Sequence, residues 1–317
     1  MGEKLVAIVV GLLLILYFPT PKIHAISNPD LDRAINYLIV NYNAAVGLIP
    51  ETPNSNIYYL LSDNLLAYSV LKYYDQSNST LTSIANNISS TLSHYMSRYK
   101  LPKISQYNIL ISNKPYFNNV LSYDVTTNGY TIKIDLNNGT AVLSPYEYAD
   151  IAFLQALHAY QQNDMLKAIN LFNVGANMYD GKGFNDKAFR EGRSKGIYQT
   201  YKLALYYIAG YILCRQVPNN VTERIISMQA HNGGFYTGYL PNDTIPQGVT
   251  TNTETTSLVI YAYSPQIIKY YFNRKELPST LPIELIFSIG VLIAAIGMAV
   301  YIIKRIIKKL NKEQRQH

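Results

Sequence analysis

Three helical runs of this chain open on an acidic residue at matching places: Asp63 before L-L-A-Y, Asp150 before I-A-F-L and Glu254 before T-T-S-L. Tyr201 stands at the equivalent place before K-L-A-L. Carboxyl groups that face one another across a cleft can divide acid and base work, one donating a proton while the other accepts one. The structural alternative is helix capping, since first-turn acids bond free N–H groups and meet the positive end of the helix dipole. A helix N-terminus also favours the carboxylate and lowers its pKa, which suits a base or nucleophile. A proton donor at such a place must therefore be desolvated by its surroundings.

The surroundings of Glu254 are distinctive. His231 to Tyr263 reads H-N-G-G-F-Y-T-G-Y-L-P-N-D-T-I-P-Q-G-V-T-T-N-T-E-T-T-S-L-V-I-Y-A-Y. Its first part is long for a connector and too aromatic for a disordered segment, so Phe235, Tyr236 and Tyr239 are expected on the rim of a cleft. His231 is a candidate acid/base group or a solvated loop histidine. Asp180 and Asp186 lie on an adjacent loop. No His/Cys/Asp cluster shows zinc spacing. The metal weighed at Asp180–Asp186 is Ca²⁺, but the loop lacks the EF-hand ligand pattern, so no cofactor is assigned. Gly192–Gly196 fits G-x-S-x-G without the apolar strand that a nucleophile elbow needs. Ser97–Lys100 fits S-x-x-K without its partner motifs.

The elements that must position these groups are mostly helices. Apolar residues recur at helical spacing over 29–43, and further helices are expected over 57–75, 80–99, from Pro145 onward, over 198–214, from Pro218 and at Glu254. Residues 104–143 alternate instead and contain Asn128–Gly129 and Asn138–Gly139, which predicts a β insertion of two to four strands with hairpin turns. Outside that insertion the four helix starts recur with a period near fifty residues, the size of one antiparallel helix pair. Stacked pairs around one axis predict a mainly α fold, an α/α-hairpin toroid, complete or partial, with its inner helices starting at one mouth.

Y-D-G-K-G-F-N-D (Tyr179–Asp186) followed by T-Y-K-L-A-L, and G-G-F-Y-T-G-Y (Gly233–Tyr239) followed by N-T-E-T-T-S-L, resemble the inner-helix and loop motifs of six-hairpin α/α-toroid glycosidases and related proteins. The resemblance covers about residues 30–265 and leaves the β insertion outside. It implies a carbohydrate cleft at the mouth where the helices start. Glu254, Asp63 and Asp150 would then be the catalytic carboxyls, with Tyr201, Tyr236, Tyr239, Phe235, His231, Asp180 and Asp186 near the sugar. The chain contains no Trp, where that family lines its cleft with Trp. A non-catalytic envelope or glycan-binding module is the alternative expectation.

The bulk properties place this body. The net charge is +7, but Lys304, Arg305, Lys308, Lys309, Lys312 and Arg315 crowd the last residues, leaving the rest close to neutral. A near-neutral body excludes a nucleic-acid face. Residues 1–25 read as a secretory signal, with Lys4 ahead of the apolar Leu5–Phe18 and Ala25 as cleavage point. Residues 281–303 read as a transmembrane helix, and the basic 304–317 as a cytoplasmic tail by the positive-inside rule. Residues 26–280 are then extracytoplasmic, where Asn78, Asn87, Asn138, Asn220 and Asn242 are glycosylation acceptors. Expected partners are glycan or polysaccharide, the membrane and envelope proteins. The lone Cys214 forms no intramolecular disulfide and is expected to be buried as a small apolar residue.

Overall fold

A computed structural model describes residues 28–53, 55, 58–100, 105–111, 114–127 and 129–272. The expected signal, transmembrane helix and tail lie outside these residues. Among the described residues no helix is long and apolar enough to cross a membrane. The fold is mainly α with short strands.

Two kinds of helix alternate along the chain. α2 (Leu61–Tyr74), α4 (Ala149–Gln161), α7 (Thr200–Leu213) and α9 (Thr253–Ala262) are buried on nearly every side. α3 (Ser79–Arg98), α5 (Met165–Ala176), α8 (Asn219–Ser227) and α10 (Pro265–Phe272) each bury a single stripe; in α3 it is Leu81, Ile84, Ala85, Ile88, Leu92 and Tyr95. A helix apolar all round belongs inside, and one with a stripe belongs outside it. Each inner helix pairs with the outer helix that follows it. The inner helices pack in the order α4, α7, α9, α2. A 3₁₀ segment, Gln106–Ile111, touches both α4 and α2 and so links the two ends of that row. α1 (Leu31–Asn41), capped by Asp30 accepting the Arg33 N–H, packs on α9.

Short strands hold the starts of the inner helices. β1 (Tyr58–Leu60) runs straight into α2, β4 (Tyr198–Gln199) into α7 and β7 (Thr251–Asn252) into α9. β5 (Phe235–Tyr236) pairs antiparallel with β7, and β6 (Gly238–Tyr239) with β4. The Gly233–Tyr239 loop is thus stitched across two helix starts. Of its glycine pair, only Gly233 takes a positive φ, +89°, and it abuts the Arg33 carbonyl. Gly234 is needed for another reason: a Cβ there would stand 2.6 Å from the Tyr37 ring.

The β insertion is one antiparallel hairpin, β2 (Leu121–Thr127) with β3 (Tyr130–Leu136), closed by Thr127 opposite Tyr130. β1 adds to β3 in parallel. Two expectations fail here. The alternating run around Gln106–Ile111 is 3₁₀, not strand, because Tyr107, Asn108, Ile109 and Leu110 are all buried and no face remains for the solvent side of an alternation. Asn138–Gly139 makes no hairpin turn; Gly139 N–H bonds the Asn119 carbonyl instead, beside an isolated bridge between Asn118 and Val142. Cys214 also departs from expectation. It is exposed and ends α7 in the left-handed conformation, φ 53°, where the chain turns out of the core.

Candidate active site

Asp63, Asp150, Tyr201 and Glu254 are the second or third residues of α2, α4, α7 and α9, and the packing of those helices brings the four together. The clamp between α2 and α9 is explicit. Asn64 pairs with both backbone groups of Ile49, at 2.7 and 2.8 Å, fixing the incoming chain to α2. Two residues on, Thr253 bonds the Glu51 carbonyl through its N–H and the Pro50 carbonyl through its hydroxyl, at 2.9 and 2.7 Å. This segment carries Glu51 to the same place.

None of the three helix-start acids caps its helix. The residues before α2 and α4, Leu60 and Tyr148, make no side-chain cap, and α9 is capped by Asn252 accepting the Thr255 N–H at 2.9 Å. The acids are free for other work. Asp63 and Asp150 are 2 % and 8 % exposed, and Asp63 Oδ2 and Asp150 Oδ1 are buried without a hydrogen-bond partner among the described residues. Glu254 is enclosed by protein yet retains some surface. Its Oε1 accepts a 2.5 Å hydrogen bond from the Tyr107 hydroxyl, which the 3₁₀ segment delivers. Tyr201 Oη lies 3.2 Å from Asp150 Oδ2.

Burial decides the protonation of this row. It pushes the Glu254 carboxyl up to about 7, with Tyr107 pulling the other way and Asp150 adding to the rise. Asp63 is held well above the usual range by burial and then by Glu254 and Glu51. Asp150 is raised by burial, against the Lys202 charge that lowers it. The lowering expected from the helix N-termini is therefore outweighed by desolvation, which favours the acid form; at α9 the free N–H groups of Thr253 and Thr255 are taken by the Glu51 carbonyl and Asn252, while at α4 a backbone N–H still lowers Asp150 by less than burial raises it. A carboxyl that titrates near neutrality can act as acid or as base at working pH.

The remaining candidates fall elsewhere. Phe235 and Tyr239 are fully buried, so neither ring offers a face to a ligand; the ladders that anchor the loop turn them into the core. The Tyr239 hydroxyl bonds the Lys182 carbonyl at 2.8 Å. Tyr236 and the exposed His231 line a different concavity, of about 400 Å³, with Asn232, Thr250 and Thr251. Asp180 accepts the Lys182 and Gly183 N–H groups and the Tyr198 hydroxyl at 2.5 Å, a turn-forming role. Asp186 is fully buried and structural. It caps the short α6 (Lys187–Arg190), accepts the Ala149 N–H at the start of α4, and pairs with Lys202 of α7 at 2.5 Å. Among the described residues no three His, Cys, Asp or Glu side chains are grouped to hold a metal.

Asn78, Asn87, Asn138 and Asn242 are exposed, as acceptors must be. Asn220 is half-buried, and its amide nitrogen donates to the Gly181 carbonyl at 2.8 Å, which leaves it poorly presented.

Tyr107, Glu51, Asp135 and Lys202 belong to the electrostatics of the site and were not picked out by sequence reasoning. Lys202 had a signal: a charge inside the apolar run Y-K-L-A-L-Y-Y-I needs a buried partner. Tyr107 had none, since its role depends on a contact with a residue 147 positions away.

No protein-family model, curated protein or solved structure matches the chain.

Proposed function

We propose that this chain is a membrane-anchored extracytoplasmic glycoside hydrolase, acting on polysaccharide or glycoprotein glycan from the mouth of a partial α/α toroid. One observation carries the reading: three non-capping carboxyls, from the starts of three of the four inner helices, are enclosed together, and the central one, Glu254, titrates near neutrality. Glycoside hydrolysis calls for a carboxyl that keeps its proton beside a second carboxyl group. Glu254 and Asp63 are assigned the acid/base roles, with Asp150 and Tyr201 completing the mouth. The four inner helices in a closed neighbourhood, joined by the 3₁₀ segment, support a ring of hairpins smaller than six. The apolar segments at the two ends and the basic tail support an anchored body facing outward.

The test is a screen of the full chain against surface glycans, with Glu254→Gln and Asp63→Asn alongside. Removing a general acid or base costs roughly 10²–10⁴ in rate. Wild-type release of sugar with both variants at full rate and normally folded would reject the assignment. Glycan binding by all three proteins with no release would move the reading to a non-catalytic glycan-binding module. The topology is checked by protease added to intact cells, which should remove the body and spare the basic tail.

A further inference from the structure

The largely apolar cavity between α2 and α3 adjoins the carboxyl row. It holds about 210 Å³, where roughly 150 Å³ of apolar space is enough to bind benzene. Leu65, Leu92, Met96 and Ile111 line it, and most of its lining is apolar. Its polar lining is Ser62, Ser89, Ser93, Ser105, Asn108 and Asp135. Three of these, Ser62, Asn108 and Asp135, lead to the site. Ser62 Oγ is 3.5 Å from Asp63 Oδ1. Asn108 follows Tyr107, the donor to Glu254. Asp135, its carboxylate held by the Ser122 hydroxyl at 2.6 Å, raises the pKa of both Asp63 and Glu254.

We infer that this cavity receives the apolar portion of an amphipathic glycoside whose sugar end lies toward Asp63 and Glu254. The inference deepens the proposed function by naming the kind of group attached to the sugar, and it rests on that reading for the placement of the sugar. The chemistry selects the ligand. Leucines, a methionine and an isoleucine favour an uncharged hydrocarbon body. Among the described residues Asp135 is the charged group of the lining, so fatty acids and phosphorylated tails are disfavoured. Ser62, bonded to Asp63, and Asn108, next to Tyr107, are the groups beside the carboxyls that would meet sugar hydroxyls. The bland alternative is a groove left by imperfect packing of two helices. It predicts no link between hydrocarbon binding and the carboxyl end.

The experiment uses the full chain in lipid nanodiscs, with empty discs subtracted. Two series of probes are titrated calorimetrically: n-hexyl to n-nonyl glycosides of glucose, galactose and N-acetylglucosamine, and the matching 1-alkanols. Affinity is expected to rise roughly fourfold per added methylene, the ratio that corresponds to about 0.8 kcal/mol per buried CH₂. At least one glycoside series should bind about tenfold more tightly than alkanols of equal length, the size of one or two added hydrogen bonds. Ser93→Phe, at an exposed helix position, fills the cavity and should reduce the slope below about twofold per methylene in both series. Ser89→Leu, from the same wall, should do the same if Ser93→Phe misfolds. A flat wild-type series, or a slope that both variants leave unchanged, overturns the inference. Glycosides that bind no better than alkanols overturn the orientation toward the carboxyls. Binding as expected without release of sugar supports the cavity and rejects hydrolysis; release at a rate and affinity independent of chain length rejects the cavity and leaves hydrolysis standing.

Discussion

The Tyr107 hydroxyl donates to Glu254 Oε1 at 2.5 Å, tying the 3₁₀ segment after the first outer helix, α3, to the last inner helix, α9. The two partners carry opposite consequences of one contact. Burial and then the Glu254 charge raise the Tyr107 pKa well above its ordinary value, so Tyr107 stays a donor throughout the working range. The same bond lowers the Glu254 pKa against the larger effect of burial. Tyr107 is thus what keeps Glu254 near 7 instead of higher.

Tyr107→Phe should therefore move the Glu254 titration upward, by about 1–2 pH units for a charge-assisted hydrogen bond. The ring volume is kept, so the fold should tolerate the change. Carboxyl-carbon NMR or infrared difference spectroscopy reads the titration directly. A downward move, or none, would mean that the bond does not favour the carboxylate.

Stability should fall as pH rises. A carboxyl whose folded pKa lies above its unfolded value binds more protons in the native state, so its contribution is full below the unfolded value and is lost as pH climbs through the folded one. For Glu254 the window runs from about 4.5 to about 7. That difference amounts to at most about 3 kcal/mol, and partial exposure reduces it. Asp63 and Asp150 act in the same direction. Glu254→Gln should flatten the curve, so that wild type loses ground to the variant between pH 5 and pH 8 in chemical denaturation followed by tyrosine fluorescence. Equal slopes for the two proteins would show that Glu254 is not the group responsible.

The helices and the meeting of Asp63, Asp150, Tyr201 and Glu254 were legible because each helix start repeats one local pattern, and stacked hairpins place equivalent residues at one end. The protonation state was not legible. Local sequence says that an acid in the first turn is stabilised as a carboxylate, whereas the observed rise comes from enclosure by segments far away in the chain. Phe235 and Tyr239 misled for a related reason. An aromatic next to glycines reads as an exposed rim, but two-residue ladders with Asn252 and Tyr198 turn these rings inward. Such ladders are too short to leave an alternating pattern.

Lys202 and Asp186 offer the sharpest test of how the inner helices are locked. Lys202 is 3 % exposed and Asp186 fully buried, and their contact joins α7 to the cap of α6 and the start of α4. Removing one partner of a buried pair leaves a charge stranded, at a cost of about 3–5 kcal/mol. Lys202→Met should fall at the low end, because Asp186 keeps the N–H groups of Ala149, Ala188 and Phe189. Adding Asp186→Asn should recover much of the loss, since the amide oxygen can still accept the α6 N–H groups while no charge remains to be buried. The same lysine lowers the Asp150 pKa, so Lys202→Met should also raise the Asp150 titration further, a shift that a purely mechanical loss of packing would not produce. Denaturation midpoints of the single and double variants, read with the Asp150 carbon resonance, check both parts. A loss below about 1 kcal/mol for Lys202→Met would mean that the pair does not hold the helix starts together.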